Sequence, residues 1–348
     1  MPHLMLLAAS ALAQGVGDFD IQPEILLDAD AGFGDGYMTN GAGAPTVFYD
    51  TFHSQYVMIF ESRLPETEAT CTVGKWGLGF ATSDDGVAWD ARTTRLLGPK
   101  DGSFYDCVAG QPTAFQTLVG YAVVYFKAEQ GSDACAVVTP SWGCARFTGV
   151  GRMLVYFKAD GTVSKTVVDT LPKLVLAIDH GRPKVTYKVN KYYMMHERRP
   201  AIWDATATTI TKLFTGASEV ITPGDIVWGP DEMFNASVIC EDADDFPLTT
   251  YVGGKDLDGA VPALISTGSL GKGVSADGFN WLLNTDTYFT WNDELQFRHW
   301  EMLRFIDNSG YLLYYSEKDP GTGNPQIRIA TTTPTWSGSN VHAKRCFD

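Results

Sequence analysis

The chain has 348 residues, of which 45% are hydrophobic and 12% aromatic, with 35 Gly and 17 Pro. That is enough for two average domains or one large β domain, and it is too apolar to be a disordered chain. Its 26 basic and 41 acidic residues give a formal charge of −15, which argues against nucleic acid or an anionic membrane surface as partner.

The first element is "MPHLMLLAASALAQG". Its short apolar run Leu4–Leu12 and the A-x-A pattern Ala11-Leu12-Ala13 predict a secretory signal peptide over residues 1–13. Residues 14–348 then form a single domain in a secreted or periplasmic protein. No later run has the length of a membrane span. Six cysteines suit export: Cys71, Cys107, Cys135, Cys144, Cys240 and Cys346. The count permits three disulfides, with the pairing open. Cys135 and Cys144 bracket one loop and are the best candidates for a local bridge. The spacings do not resemble a zinc site, and no metal ligand set is expected.

Next comes "PEILLDAD", strand-like, and then a pattern that returns five times. A small or polar pair leads into Pro and an apolar strand, then a turn, then an aromatic-rich strand. The copies are "GAPTVFYDTFHSQYVMIFESR", "GQPTAFQTLVGYAVVYFKAE", "GRPKVTYKVNKYYMMHERR", "FNASVICEDADDFPLTTYVGG" and "RHWEMLRFIDNSGYLLYYSEK". The first strands are predicted near residues 44–50, 111–116, 182–188, 235–240 and 299–306.

A second pattern runs out of phase with the first. "ATSDDGVAW" and "GVSADGFNW" share Ser-x-Asp-Gly-x-x-Trp, and Trp281 follows Trp89 by 192 residues, three spans of 64. Asp-Gly between strand-like runs signals a hairpin, since Gly accepts the positive φ the turn demands. Repeats of this size and patterning predict an all-β, five-bladed β-propeller of four-stranded antiparallel blades. The turn joins the third and fourth strands of blades one and four. The N-terminal strand completes the last blade.

In that topology the first-strand starts, the second-to-third-strand loops and the links between blades share one face. Function is expected there. The links hold Asp35, Asp106, Asp179, His180, Asp231 and Asn235. Gly181 and Arg182 follow His180, and Arg298, His299 and Glu301 open the fifth copy. The second strands end in Glu61 and Arg63, Lys127 and Glu129, then His196, Glu197 and Arg198, and finally Glu317 and Lys318. Convergent carboxylates can supply the acid and base of glycoside hydrolysis. Ion pairing between blades is the structural alternative for each of them. Tyr105, Trp142, Phe234 and Trp300 are candidates to stack on sugar rings, whereas Trp76, Trp89 and Trp281 read as packing.

The run "PTVFYD…SQYVMIFESR…WGLGFATSDDGVAW" resembles the five-bladed propeller glycosidases of the arabinanase, xylosidase, invertase and levansucrase type. The resemblance implies a catalytic trio at the starts of the first three blades, each carboxylate just before a Pro. Here those positions hold Ala44, Gln111, and Gly181 with Arg182. Asp35, Asp106, Asp179 and Glu197 become the catalytic candidates, standing in the links or on a second strand. Glu61, Arg63, His180, Arg182, His196, Arg198, Asp231, Asn235, Arg298, His299 and Glu301 are the substrate-binding candidates. The expected function is a glycoside hydrolase-like propeller acting on an oligo- or polysaccharide in a central carboxylate-lined pocket. A non-catalytic carbohydrate-binding propeller, or a glycoside phosphorylase using the Arg/His cluster, stays open beside it. No cofactor is expected, although the central channel of such a fold has room for a structural calcium ion. The expected partner is a carbohydrate ligand, bound by a monomer or weak oligomer.

Overall fold

The computed structural model describes residues 20–29, 37–64, 71, 74–117, 120–131, 148–158, 160, 162–170, 181–188, 191–198, 201–207, 212, 214–223, 232–240, 248–256, 267–291, 298–304, 310–319 and 321–332. The strands are β1 (Asp20–Leu27), β2 (Ala42–Asp50), β3 (Gln55–Arg63), β4 (Trp76–Ser83), β5 (Asp90–Ala91), β6 (Val108–Gln116), β7 (Ala122–Glu129), β8 (Thr148–Phe157), β9 (Val163–Thr170) and β10 (Gly181–Lys188). They continue with β11 (Lys191–Arg198), β12 (Ala201–Ala207), β13 (Thr215–Ile221), β14 (Glu232–Cys240), β15 (Leu248–Asp256), β16 (Thr267–Ser275), β17 (Leu282–Trp291), β18 (Arg298–Arg304), β19 (Tyr311–Lys318) and β20 (Pro325–Thr331). No helix occurs among the described residues. The all-β expectation therefore holds, and no helix there is long and apolar enough to cross a membrane.

Sequence neighbours pair as antiparallel meanders. Strands β10 to β13 form one four-stranded sheet in order, and β14 to β17 form another. A larger sheet runs β2-β3-β4-β6-β7-β8-β9, with β5 on β4. Its two meanders join where Trp76 pairs in parallel with Val108. The fourth sheet runs β1-β20-β19-β18, so among the described residues the first strand does pair with the last.

Two compact units divide these elements. One holds Glu24 to Pro183 and Tyr314 to Ile329, and the other holds Lys184 to Leu313 with the remaining residues at both ends. The first unit is cored by Phe48, Val57, Ile59, Leu78, Phe80, Val124, Phe126, Met153 and Phe157. Burying each such side chain contributes ~1.5–3 kcal/mol. Its meanders repeat one close contact: Phe60 faces Gly79 across β3 and β4, and Phe126 faces Gly151 across β7 and β8. A Cβ at Gly79 would lie 2.6 Å from the Phe60 ring, so only glycine lets that aromatic lie flat on the neighbouring strand. A carboxylate network ties the adjacent hairpin turns. Asp50 accepts from Gln116 Nε2, while Gln116 Oε1 accepts from the Thr51 amide at 2.9 Å. The second unit has a smaller cluster of Met195, Ile202, Ile221, Ala236 and Val252, with Trp281 against it.

Both copies of the repeated turn close in the same way, between β4 and β5 and between β16 and β17. Ser83 Oγ accepts from the Gly86 amide at 2.8 Å, and Asp85 Oδ1 accepts from the Val87 and Ala88 amides, both at 2.8 Å. Ser275 and Asp277 repeat those bonds to Gly278, Phe279 and Asn280 at 2.8 Å each. Each Trp indole then folds back. Trp89 Nε1 donates to Gly86 O and Trp281 Nε1 to Gly278 O, both at 3.0 Å. Burial alone would raise the Asp85 and Asp277 pKa values, but the amide and hydroxyl donors outweigh it and hold both below the usual carboxylate range.

The first strands begin one to three residues earlier than the sequence pattern indicates, at Ala42, Val108, Gly181, Glu232 and Arg298. The reason is a bulge. On β2, Gly43 pairs with Glu61 and Thr46 with Ile59, so Ala44 and Pro45 together oppose Phe60. On β6, Gly110 pairs with Lys127 and Thr113 with Tyr125, which puts Gln111 and Pro112 opposite Phe126. Proline lacks the N–H that a ladder needs, and a bulge is where a strand tolerates it. Pairing resumes on its far side.

Candidate functional site

An unusual backbone recurs at these strand starts, at the bulges of β2 and β6 and on β18. Ala44 has φ of 45°, Gln111 of 48° and His299 of 49°. Each is the residue immediately before the repeat's reference position, Pro45, Pro112 or Trp300. A side chain in the left-handed region costs ~1–2 kcal/mol, and such residues persist where the surroundings over-determine them. Asn235, at the same place before Ala236, sits in the β14 bulge, where the register shifts between Phe234 and Ala236. Sequence reading had singled out Ala44 and Gln111 only as lost carboxylates. The residue before a proline ordinarily favours extended backbone, so nothing in the sequence signalled this conformation.

In the first unit, buried Glu61 reaches the Gln111 bulge, its Oε2 accepting from the Gln111 amide at 3.3 Å. A Cβ at Gly110 would come within 2.7 Å of that oxygen. The Arg63 guanidinium lies over the Trp76 ring, 4.9 Å from its centroid. Asp106, half-buried, accepts from the Gly131 amide through Oδ1 at 2.7 Å. The next residue, Cys107, forms a disulfide with Cys71. Cys107 O accepts from the Trp76 amide at 2.9 Å, and Cys107 N donates to Glu129 O at 3.1 Å. The bridge thus pins the loop after β3 to the start of β6. Cys135, Cys144 and Cys346 lie outside the described residues.

Several expected charges are paired. Glu129 meets Lys127 at 3.2 Å, and Glu317 forms an ion pair with Arg328 and accepts from Gln326 Nε2 at 2.7 Å. In the second unit Glu301 meets Lys184 at 2.5 Å, and both are largely buried. His196 and Glu197 are buried on β11, opposite Trp203 and Ile202 of β12. His299 is half-buried. Asp35, Asp179, His180 and Asp231 lie outside the described residues, and so do the side chains of Arg182, Arg198, Asn235 and Arg298.

Two stacking candidates are corrected. Tyr105 is buried edge-on against Phe104 and Phe126 in the first unit's core. Trp300 is fully buried and donates to Tyr251 O at 3.4 Å. Packed on both faces, neither ring can receive a sugar. Trp142 and the Phe234 side chain lie outside the described residues.

Sequence reading also missed Asp204, 1% exposed on β12. Its Oδ1 accepts from Ser218 Oγ at 3.0 Å, and its Oδ2 has no hydrogen-bond partner. Burial first, with Asp277 nearby, pushes its pKa up to about 6 against the opposing Ser218 bonds. Among the described residues no group of three His, Cys, Asp or Glu side chains is placed to hold a metal ion.

No family model matches the chain, and no curated protein matches it in sequence. Solved structures do. A glycosyl hydrolase from Bacteroides ovatus has a TM-score of 0.63 at 12% identity, covering 95% of this chain and 98% of that one. A GH62 hydrolase in complex with xylotriose has a TM-score of 0.61 at 9% identity, covering 92% and 99%. An endo-arabinase from Bacteroides thetaiotaomicron has a TM-score of 0.57 at 11% identity, covering 90% and 98%. Across nine-tenths or more of its length, this chain shares the fold of glycosidase-type β-propeller proteins.

Proposed function

We propose that the chain is an exported five-bladed β-propeller that hydrolyses an oligo- or polysaccharide laid against the starts of its first strands. The observation that carries this reading is the left-handed backbone of Ala44, Gln111 and His299. Three non-glycine residues bear the same strain at equivalent positions, two of them where the resembling glycosidases keep carboxylates. Strain kept at the equivalent position of Ala44 and Gln111, on first strands within one unit, points to a site there.

Asp35 serves as general base and Asp179 as general acid, with Asp106 holding a sugar hydroxyl or tuning the acid and Glu197 in reserve. The acid must keep its proton near neutral pH, which requires desolvation or a neighbouring carboxylate. Inversion would set acid and base roughly 6.5–9.5 Å apart, leaving room for a water. Glu61, Arg63, His180, Arg182, His196, Arg198, Asp231, Asn235, Arg298, His299 and Glu301 line the substrate. The xylotriose bound by one structural neighbour supports a sugar as the ligand.

The test is a screen of plant and marine oligosaccharides with wild type, Asp35→Asn and Asp179→Asn. Loss of turnover by about a hundredfold or more in either variant is expected from removal of an acid or base. Undiminished turnover in both would refute the roles. A second reading, a propeller that only binds sugar, draws on the pairing of Glu129, Glu301 and Glu317 with Lys127, Lys184 and Arg328. Measurable binding with no turnover on any glycan would favour it. Turnover that requires added phosphate would identify a phosphorylase.

A further inference from the structure

Arg63 ends β3 with its backbone clamped. Its amide donates to Gly41 O at 3.2 Å, its carbonyl accepts from the Asn40 amide at 3.3 Å, and Asn40 Nδ2 holds Leu64 O at 3.0 Å. Its guanidinium carbon lies over the Trp76 ring, 4.9 Å from the centroid. The backbone amide of half-buried Trp76 donates to Cys107 O, beside the Cys71–Cys107 disulfide.

The charge at the tip of this side chain is poorly matched within the protein. The nearest carboxylate oxygen, Glu61 Oε1, is 3.8 Å from Nε. That is beyond hydrogen-bond reach, and Nε is buried without a hydrogen-bond partner. The side chain is nonetheless 35% exposed. Thus a partly exposed guanidinium, held over an indole, stands beside Glu61, whose carboxylate meets the strained Gln111 bulge.

We propose that Arg63 receives the carboxylate of an acidic sugar, so that the ligand of this site is a uronate-containing glycan. This rests on the carbohydrate reading above and narrows it. A planar fork matches a carboxylate through two parallel N–H···O bonds, and a cation–π contact with an indole limits where the guanidinium can move. In a chain of formal charge −15, a single carboxylate on an otherwise neutral sugar meets less repulsion than a dianion or a polyanion does.

The experiment compares binding of a glucuronate-bearing xylo-oligosaccharide and of oligogalacturonate with their carboxyl-reduced, neutral counterparts. It uses wild type, Arg63→Gln and Arg63→Lys, with thermal melting as the fold check. The wild type should prefer the acidic form of one pair about tenfold or more. Arg63→Gln should erase that preference, weakening the acidic form about tenfold more than the neutral form. Arg63→Lys, which keeps the charge and loses the fork, should retain only part of it. Equal wild-type binding of acidic and neutral forms would overturn the carboxylate assignment and spare the carbohydrate reading. No binding of any glycan would overturn both. Displacement of the acidic probe by millimolar inorganic phosphate, with neutral-glycan cleavage dependent on that phosphate, would reassign the fork to phosphate and overturn the proposal.

Discussion

Tyr314 donates its hydroxyl hydrogen to the carbonyl oxygen of Gly86 at 2.8 Å, and its ring stands edge-on to Trp89 with centroids 6.0 Å apart. Gly86 belongs to the first repeated turn and Tyr314 to β19, 228 residues later. The second copy has a counterpart on β11: a Cβ on Gly278 would lie 2.8 Å from Tyr193. A chain needs this turn twice because the turn is a docking piece, seated against an aromatic on a second strand of another sheet.

The Tyr314 phenol is fully buried. Burial, with Tyr56 and Asp85 nearby, raises its pKa well above the usual tyrosine value, so it remains a donor across the working pH range. Tyr314→Phe should cost ~1 kcal/mol, since Gly86 O keeps its bond from Trp89. Gly86→Ala should cost more, ~2 kcal/mol, because it adds a Cβ at φ 77° and 3.0 Å from the Tyr314 oxygen. Urea unfolding of both variants checks the order.

Asp204 and Asp277 should give opposite pH dependences within one unit. The Asp204 carboxyl holds its proton up to about 6 when folded, but only to the ordinary value near 3.8 when unfolded. The folded state therefore binds more protons between those values, and stability falls as pH rises through that window. Asp204→Asn should flatten the slope and raise stability at pH 7. That rise, from 3.8 to about 6, sets an upper bound of ~3 kcal/mol on the gain. Asp277, held low, stabilises above the unfolded carboxylate value and loses that contribution as pH falls through its own folded value. Melting temperatures from pH 3 to pH 8, for wild type and for each Asn variant, separate the two.

The Lys184–Glu301 pair predicts strong non-additivity. Removing either partner alone leaves a largely buried charge without its mate and should cost ~3 kcal/mol. Replacing both by Met should cost much less. If Glu301 also touches ligand, Lys184→Met/Glu301→Met will refold normally and bind glycan weakly. A double-mutant cycle by chemical unfolding, with binding measured in parallel, reads both effects.

Relieving the bulge strain should show what it is for. Gln111→Gly should stabilise the protein by ~1 kcal/mol, because glycine accepts φ 48° without a steric cost. The same change should weaken glycan binding. Greater stability with unchanged binding would mean that the conformation serves the strand and nothing else.

Much of the scaffold was legible because it is written in short-range chemistry. Ser83 and Asp85 announce their turn by spacing, and the aromatic runs of β3 and β7 announce buried strands. The pairing of "PEILLDAD" with the far end of the chain followed from counting repeats. The site was less legible. Pro45 and Pro112 read as strand starts because proline ordinarily ends pairing, whereas here a bulge absorbs it and the strand continues behind. Tyr105 and Trp300 look like sugar platforms in a linear sequence, since an aromatic shows its burial only once its neighbours are in place. Asp204 stood in a strand like any polar residue, and its unusual proton affinity comes from the apolar surroundings that folding builds around it.

The pairing of β1 with β20 has a consequence for how the protein is made. Roughly 300 residues separate these strands, and at a synthesis rate of about 5–20 residues per second the first waits roughly 15–60 s for its partner to leave the ribosome. Throughout that interval its ladder groups stay open, in the condition that invites pairing with another chain. The nascent protein is therefore most exposed to self-association, and most in need of chaperone shielding, before β20 emerges.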